Sequence, residues 1–264
     1  MAIRLAIRLA IRFGIIVMIM RFKGKMKDIL KATRLEYRQI TESNGHILLL
    51  LIQPVLIIIL FGAVLPPEHS QYPYYKHTIA SMLSIVVIFI SAQMTSLRIV
   101  TERAPYGPLS RETLGIGRAS IISGKLNANF LFAGIQCILI YLMGVNVFEI
   151  ENSILILIVL LVTSFFSLSM GLLFSVFAKN KDQASQLVML TVLVFLVLSG
   201  AIVKIPETSI LYDVSQEIPM TLSLNSLVSV MNAENDISWN IAKMLSFGIF
   251  CLLVSAFKFS IEKG

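Results

Sequence analysis

The chain has 264 residues, 56% of them hydrophobic and 14% charged, with a mean hydropathy of +0.84 and a net charge of +7. Soluble domains carry about 25% charged residues, so the composition excludes a soluble globular protein. It predicts an all-α polytopic membrane protein, because a transmembrane barrel would read as short alternating segments. The basic residues are not gathered on one soluble face, which argues against a nucleic-acid partner.

Residues 1–25 read as an N-terminal amphipathic extension. The unit AIRL-AIRL-AIRF places Arg4, Arg8 and Arg12 along one slowly drifting helical stripe. Three arginines at about 2.5–3.5 kcal/mol each argue against a span, and an interfacial helix fits better. The Arg-rich, acid-free composition also resembles an organellar transit peptide, although it lacks serine. A third reading is an upstream extension or artefact ahead of a natural start at Met26. Residues 26–45 are a second amphipathic stretch, with Ile29, Leu30, Leu35, Tyr37 and Ile40 among lysines and arginines. They lead directly into a span and predict an elbow helix on the membrane surface.

Residues 46–264 then read as a six-span domain, since a bilayer core of roughly 30 Å takes about 20 apolar residues in a helix. The predicted spans are 46–65, 78–97, 126–147, 153–178, 184–203 and 239–259. With the N-terminus inside, the inner segments 1–45, 98–125, 179–183 and 258–264 hold 19 of the 22 Lys and Arg. Only Lys76, Lys204 and Lys243 fall outside, and eight of the fifteen acids do. That asymmetry predicts cytoplasmic termini at both ends. The inner segment 98–125, RIVTERAPYGPLSRETLGIGRASIISGK, is charged and is broken by Pro105, Gly107, Pro108, Gly115 and Gly117. It reads as an exposed handle for a partner, with a solvated loop as the alternative. The connection at 204–238 is half apolar. Pro206 and Pro219 each open a short segment, as proline favours, and the pair predicts two short helices re-entering the outer leaflet, shielded by protein.

The spans hold uncharged polar residues rather than ionised ones, and Lys243, near an outer end, is the exception in their interior. Ionisable groups at mid-membrane mark ion-coupled transport, so a secondary transporter is disfavoured. His46, His69 and His77 have no HExxH spacing, and Cys137 and Cys251 sit inside apolar runs as small hydrophobes. No metal site, catalytic set or cofactor-binding motif emerges. The nearest approach to a phosphate loop, Gly117 to Leu126, has the wrong spacing and ends on a residue that cannot ligate magnesium. Gln53, Gln93, Asn127, Asn129 and Gln136 are either interhelical polar contacts or the lining of a translocation path. Gly62, Gly134, Gly144, Gly171 and Gly200 are candidates for close helix approach.

Three blocks in order carry a family resemblance. QPVLIIILFGAVL at 53–65, TERAPYGPLSRETLGIGRASIISGKL at 101–126, and SGAIVKIPETS at 199–209 followed by IPMTLSLNSLVSVM at 218–231 resemble the ABC-2 type transporter permeases, the membrane subunits of ABC exporters of the daunorubicin-resistance type. Gly115, where many members carry proline, and the N-terminal repeat depart from the pattern. The resemblance implies two permease subunits, identical or different, and two separate ATP-binding cassette subunits that hold ATP and Mg. It places a coupling helix within 101–114, with Glu102, Arg103, Gly107, Leu109, Arg111 and Glu112 as the ATPase-coupling residues. The implied role is non-catalytic export of a hydrophobic or amphipathic cargo across a bacterial or archaeal plasma membrane. The alternative is a non-transporting membrane immunity or scaffold protein that sequesters a ligand.

Overall fold

The computed structural model describes residues 26–38, 44–64, 74–103, 118–150, 153–201, 205–206, 208–234 and 236–261. The 1–25 repeat lies outside them. Among the described residues there are helices and turns and no strand. The helices are α1 (26–38), α2 (Asn44–Val64), α3 (Tyr75–Arg103), α4 (Arg118–Phe148), α5 (Ile154–Phe177), α6 (Lys181–Leu198), α7 (Ile210–Gln216), α8 (Pro219–Met231) and α9 (Ser238–Ile261). Among the described residues, five segments are long and apolar enough to cross a membrane: Tyr75–Thr101, Ser123–Phe148, Ile154–Phe177, Lys181–Leu198 and Ser238–Lys258. Helix α2, Asn44–Val64, is 21 residues long and carries the apolar run of the expected first span.

Helix ends follow local chemistry. The helix holding the expected second span, 78–97, is described as far as Arg103, and Arg98, Glu102 and Arg103 are residue types that propagate a helix well. Likewise α4 is already helical at Arg118, ahead of 126. The longer helices bring Arg98 and Lys125 inside two of the spans, so the expectation that the spans lack arginine is corrected. Asn180 caps α6 by accepting from the Gln183 N–H at 2.8 Å, a residue type favoured there. Gly200, at φ 72°, closes the far end.

The chain divides into two units, Met1–Asn44 with Pro108–Ala128, and Gly45–Gly107 with Asn129–Gly264. In the second unit α3 is the enclosed helix, packed by α5, α6 and α8, with α9 against α5 and α8. Ile79, Leu83 and Val86 of α3 meet Ile156, Val159 and Leu160 of α5 and Leu224 and Leu227 of α8 in the main core. Ile88 and Ala92, Phe166 and Met170, and Val188 and Val192 of α6 form a second cluster with Met220. By contrast, α6 and α9 turn Leu190, Val197, Phe250 and Leu253 outward, as helices bordering hydrocarbon do.

The two short helices differ. Pro219 occupies the first turn of α8, as read from the sequence, and most of that helix is buried. Seven-residue α7 instead starts at Ile210, capped by Ser209, and buries only Ser215. At the centre of α8 the Ser223 hydroxyl lies 2.9 Å from that of Ser84 on α3 and 2.8 Å from that of Thr163 on α5. Thr163 also donates to the Val159 carbonyl at 2.8 Å and lies 3.9 Å from Met244 Sδ of α9. Ser84 and Thr163 each sit several turns inside their spans, about 13 Å along the axis at 1.5 Å per residue. So α8 enters the bundle to that depth, and its polar groups are met by protein. Ser223→Ala is expected to lower stability by about 1 kcal/mol, read from unfolding in detergent. An unchanged transition would show that these hydroxyls do not secure α8.

Candidate functional site

The sequence points to the segment between α3 and α4, and the structure describes the helix on each side of it. Glu102 and Arg103 form the last turn of α3. Gly107, Leu109, Arg111 and Glu112 lie outside the described residues. On the α3 side, half-buried Arg98 donates from Nη1 to Asn129 Oδ1 at 3.0 Å. Asn129 is buried, and its amide nitrogen donates to Thr95 Oγ1 at 3.4 Å. An arginine that is drawn into a span this way keeps its charge and exchanges water for a fixed acceptor. Thr101 returns its hydroxyl to the Leu97 carbonyl at 2.7 Å, so the terminal turn of α3 is tied to itself.

The α4 side falls in the first unit. Lys125, near the start of α4, is ion-paired with Glu36 of α1 at 3.1 Å, and both side chains are at least nine-tenths buried. Next to it Gly124 lets the two backbones meet. A Cβ there would stand 2.5 Å from that of Ala32 and 2.8 Å from the Thr33 nitrogen. The pairing was not read from the sequence, although a signal existed. Ile29, Ala32, Thr33 and Glu36 fall at i, i+3, i+4 and i+7, an inward helical stripe that ends on an acid.

The five candidate path residues separate. Gln93 is half-buried and donates from Nε2 to Ser185 Oγ of α6 at 2.7 Å, while its Oε1 is buried without a partner. Asn129 and Gln136 are buried. Gln53, beside Pro54 in the middle of α2, and Asn127 are exposed. The structure therefore binds Asn129 and Gln93 into interhelical contacts.

At the opposite end of the second unit, α8 is held at both ends by lysines counted in the sequence only for topology. Lys76 donates to the Met231 carbonyl at 2.6 Å and to Asn232 Oδ1 at 3.1 Å, a cation at a helix C-terminus. Lys243 pairs with Glu217, just before α8, and lies 5.4 Å from the centre of the Trp239 ring. Among the described residues no group of His, Cys, Asp or Glu is placed to hold a metal ion.

What remains is a set of membrane-spanning helices, with polar ties in the helices on either side of the charged segment 104–117. The family model described as ABC-2 type transporter matches residues 29–232, most of the chain. The chain belongs to the ABC-2 type transporter family. Comparison with curated proteins gives no match. As a member, it is a multi-pass permease component of an ABC transporter, a class of subunit that is typically non-catalytic and works with ATP-binding subunits. The matched range takes in α2 through α8 and the segment between α3 and α4.

Proposed function

We propose that the chain is the permease subunit of an ATP-driven exporter of the daunorubicin-resistance type, moving a hydrophobic or amphipathic cargo outward. It works as a pair of permease subunits on two separate ATPase subunits that carry ATP and Mg. The membrane is the plasma membrane of a bacterium or archaeon, with both termini cytoplasmic. The ABC-2 match over 29–232 carries this reading. The kind of burial supports the cargo class. The second unit encloses hydroxyls and amides such as Ser84, Thr163, Ser223 and Gln136, and a small ion at mid-depth would call for ionised ligands. Gln93 Oε1, buried and unpartnered, is an acceptor that a polar end of an amphipathic cargo can use.

In this mechanism ATP closes the ATPase pair, and the closed pair prefers the permease with its 101–114 segment displaced. The cycle has direction only because the two states differ in affinity for the ATPases. Glu102, Arg103, Arg111 and Glu112 supply the docking charges, and Gly107 and Leu109 shape the turn between them. The test is reconstitution of the chain with and without its ATPase partner. Flux is expected only with the partner and ATP, and flux without them would overturn the reading. With the partner present, Glu102→Ala and Arg111→Ala are expected to cut flux by about tenfold or more while ATP hydrolysis continues, since truncating a paired interfacial charge costs about 2–5 kcal/mol. Unchanged flux in both would remove these residues from the coupling site.

A further inference from the structure

We infer that the ends of α5, α6 and α9 form a binding site for the headgroup of an anionic phospholipid. The observation is a meeting of charges and rings from two separated stretches of chain. Lys258, in the last turn of α9, places its Nζ 5.1 Å from the centre of the Phe177 ring, in the last turn of α5. That contact puts the end of α9 beside the α5–α6 turn, where Lys179 and Lys181 are both exposed. The turn is ordered: the Lys179 N–H donates to Gln183 Oε1 at 2.8 Å, and Asn180 caps α6. Three ammonium groups thus share one corner, with the Asp182 carboxylate in the first turn of α6.

The apolar half of the site decides the ligand. Phe177 is 51% exposed and Phe257 is 70% exposed, on the last turns of two spans. Lysines at a span end reach the headgroup layer while their stems and the neighbouring rings stay in the acyl region. A soluble protein partner would meet only the lysines, whereas a phospholipid meets both: phosphate against the ammonium groups, acyl chain against the rings. The excess of positive charge selects an anionic headgroup over a zwitterionic one. Each lysine near such a surface contributes about 1 kcal/mol, or about fivefold in affinity. Lys258 is held over a ring already, so part of the ordering is present before the lipid arrives.

The test uses the full chain with Phe177→Trp as reporter and Trp239→Phe to remove the one native tryptophan. It is placed in phosphatidylcholine vesicles doped with either brominated phosphatidylglycerol or brominated phosphatidylcholine. Quenching by the brominated phosphatidylglycerol is expected at well over tenfold lower lipid fraction than by brominated phosphatidylcholine. Lys179→Gln with Lys181→Gln is expected to shrink that preference by about an order of magnitude. Equal quenching by the two lipids in the lysine-intact chain would overturn the proposal. So would a preference that survives the lysine substitutions. Loss of ATPase co-purification on Lys179→Gln, with no lipid preference in the parent, would assign the corner to the partner protein and reject the lipid. The readout needs neither ATP nor cargo, so the export reading can fail separately.

Discussion

Gly171→Val is expected to prevent assembly of the α3–α5 core, with little properly folded chain recovered from membranes. A Cβ at Gly171 would stand 2.4 Å from the Ala92 carbonyl oxygen and 3.0 Å from its carbonyl carbon. Those atoms are backbone of the most enclosed helix in the bundle, so no rotamer change relieves the contact. Overpacking of a well-packed core costs about 1–3 kcal/mol even where side chains can yield, and here the helices themselves must separate. Separation would also disturb Ile88 and Met170, which pack in the same cluster as Ala92. The comparison is Gly134→Ala. A Cβ there has Leu161 Cδ2 at 3.9 Å as its one near neighbour, an ordinary contact, and the change also removes a glycine from a helix interior, favourable by about 1 kcal/mol. Monodispersity and the unfolding midpoint in detergent should fall for Gly171→Val and hold or rise for Gly134→Ala. If both variants unfold alike, the close approach at Gly171 is not what sets the helix spacing.

These two glycines show where reading the sequence runs out. Both lie in apolar runs, and a run alone does not say which face of a helix meets a neighbour's backbone. The same blindness hid Gly248, whose Cβ would meet the Phe165 ring at 2.8 Å. Features written within one helix were legible. Pro219 marked the start of α8, and long apolar runs marked the spans. Helix ends were set too short at 97 and 126, because polarity was taken as the end of a helix. Polarity reports where the bilayer ends, whereas the backbone continues until a breaker intervenes. The candidate site was legible as chemistry and not as geometry. Gln53, Gln93, Asn127, Asn129 and Gln136 share a side-chain type, yet whether each is enclosed depends on which helix lies opposite. Arg98 was assigned to the loop, and it reaches back into a span because Asn129 of α4 offers an acceptor there.

Glu36→Gln and Lys125→Met, each alone, are expected to destabilise the first unit by about 3–5 kcal/mol, the usual consequence of leaving one member of a buried ion pair. Water is nearly absent from both side chains, so the remaining charge has little solvent to turn to. The exchanged pair, Glu36→Lys with Lys125→Glu, restores opposite charges and should recover part of the loss. The apolar pair, Glu36→Leu with Lys125→Met, should recover more, since well-packed hydrophobic replacements of buried ion pairs are often neutral or stabilising. The order expected is therefore native and apolar pair highest, exchanged pair between, single variants lowest. Limited proteolysis of the 26–38 helix in the purified chain reads this order locally, because release of α1 from α4 exposes its backbone. If single variants resist cleavage as the native chain does, the ion pair contributes nothing to holding α1. If the apolar pair is cleaved as fast as the single variants, the charges are needed for register, and Gly124 against Ala32 is not enough to position α1 on α4 without them.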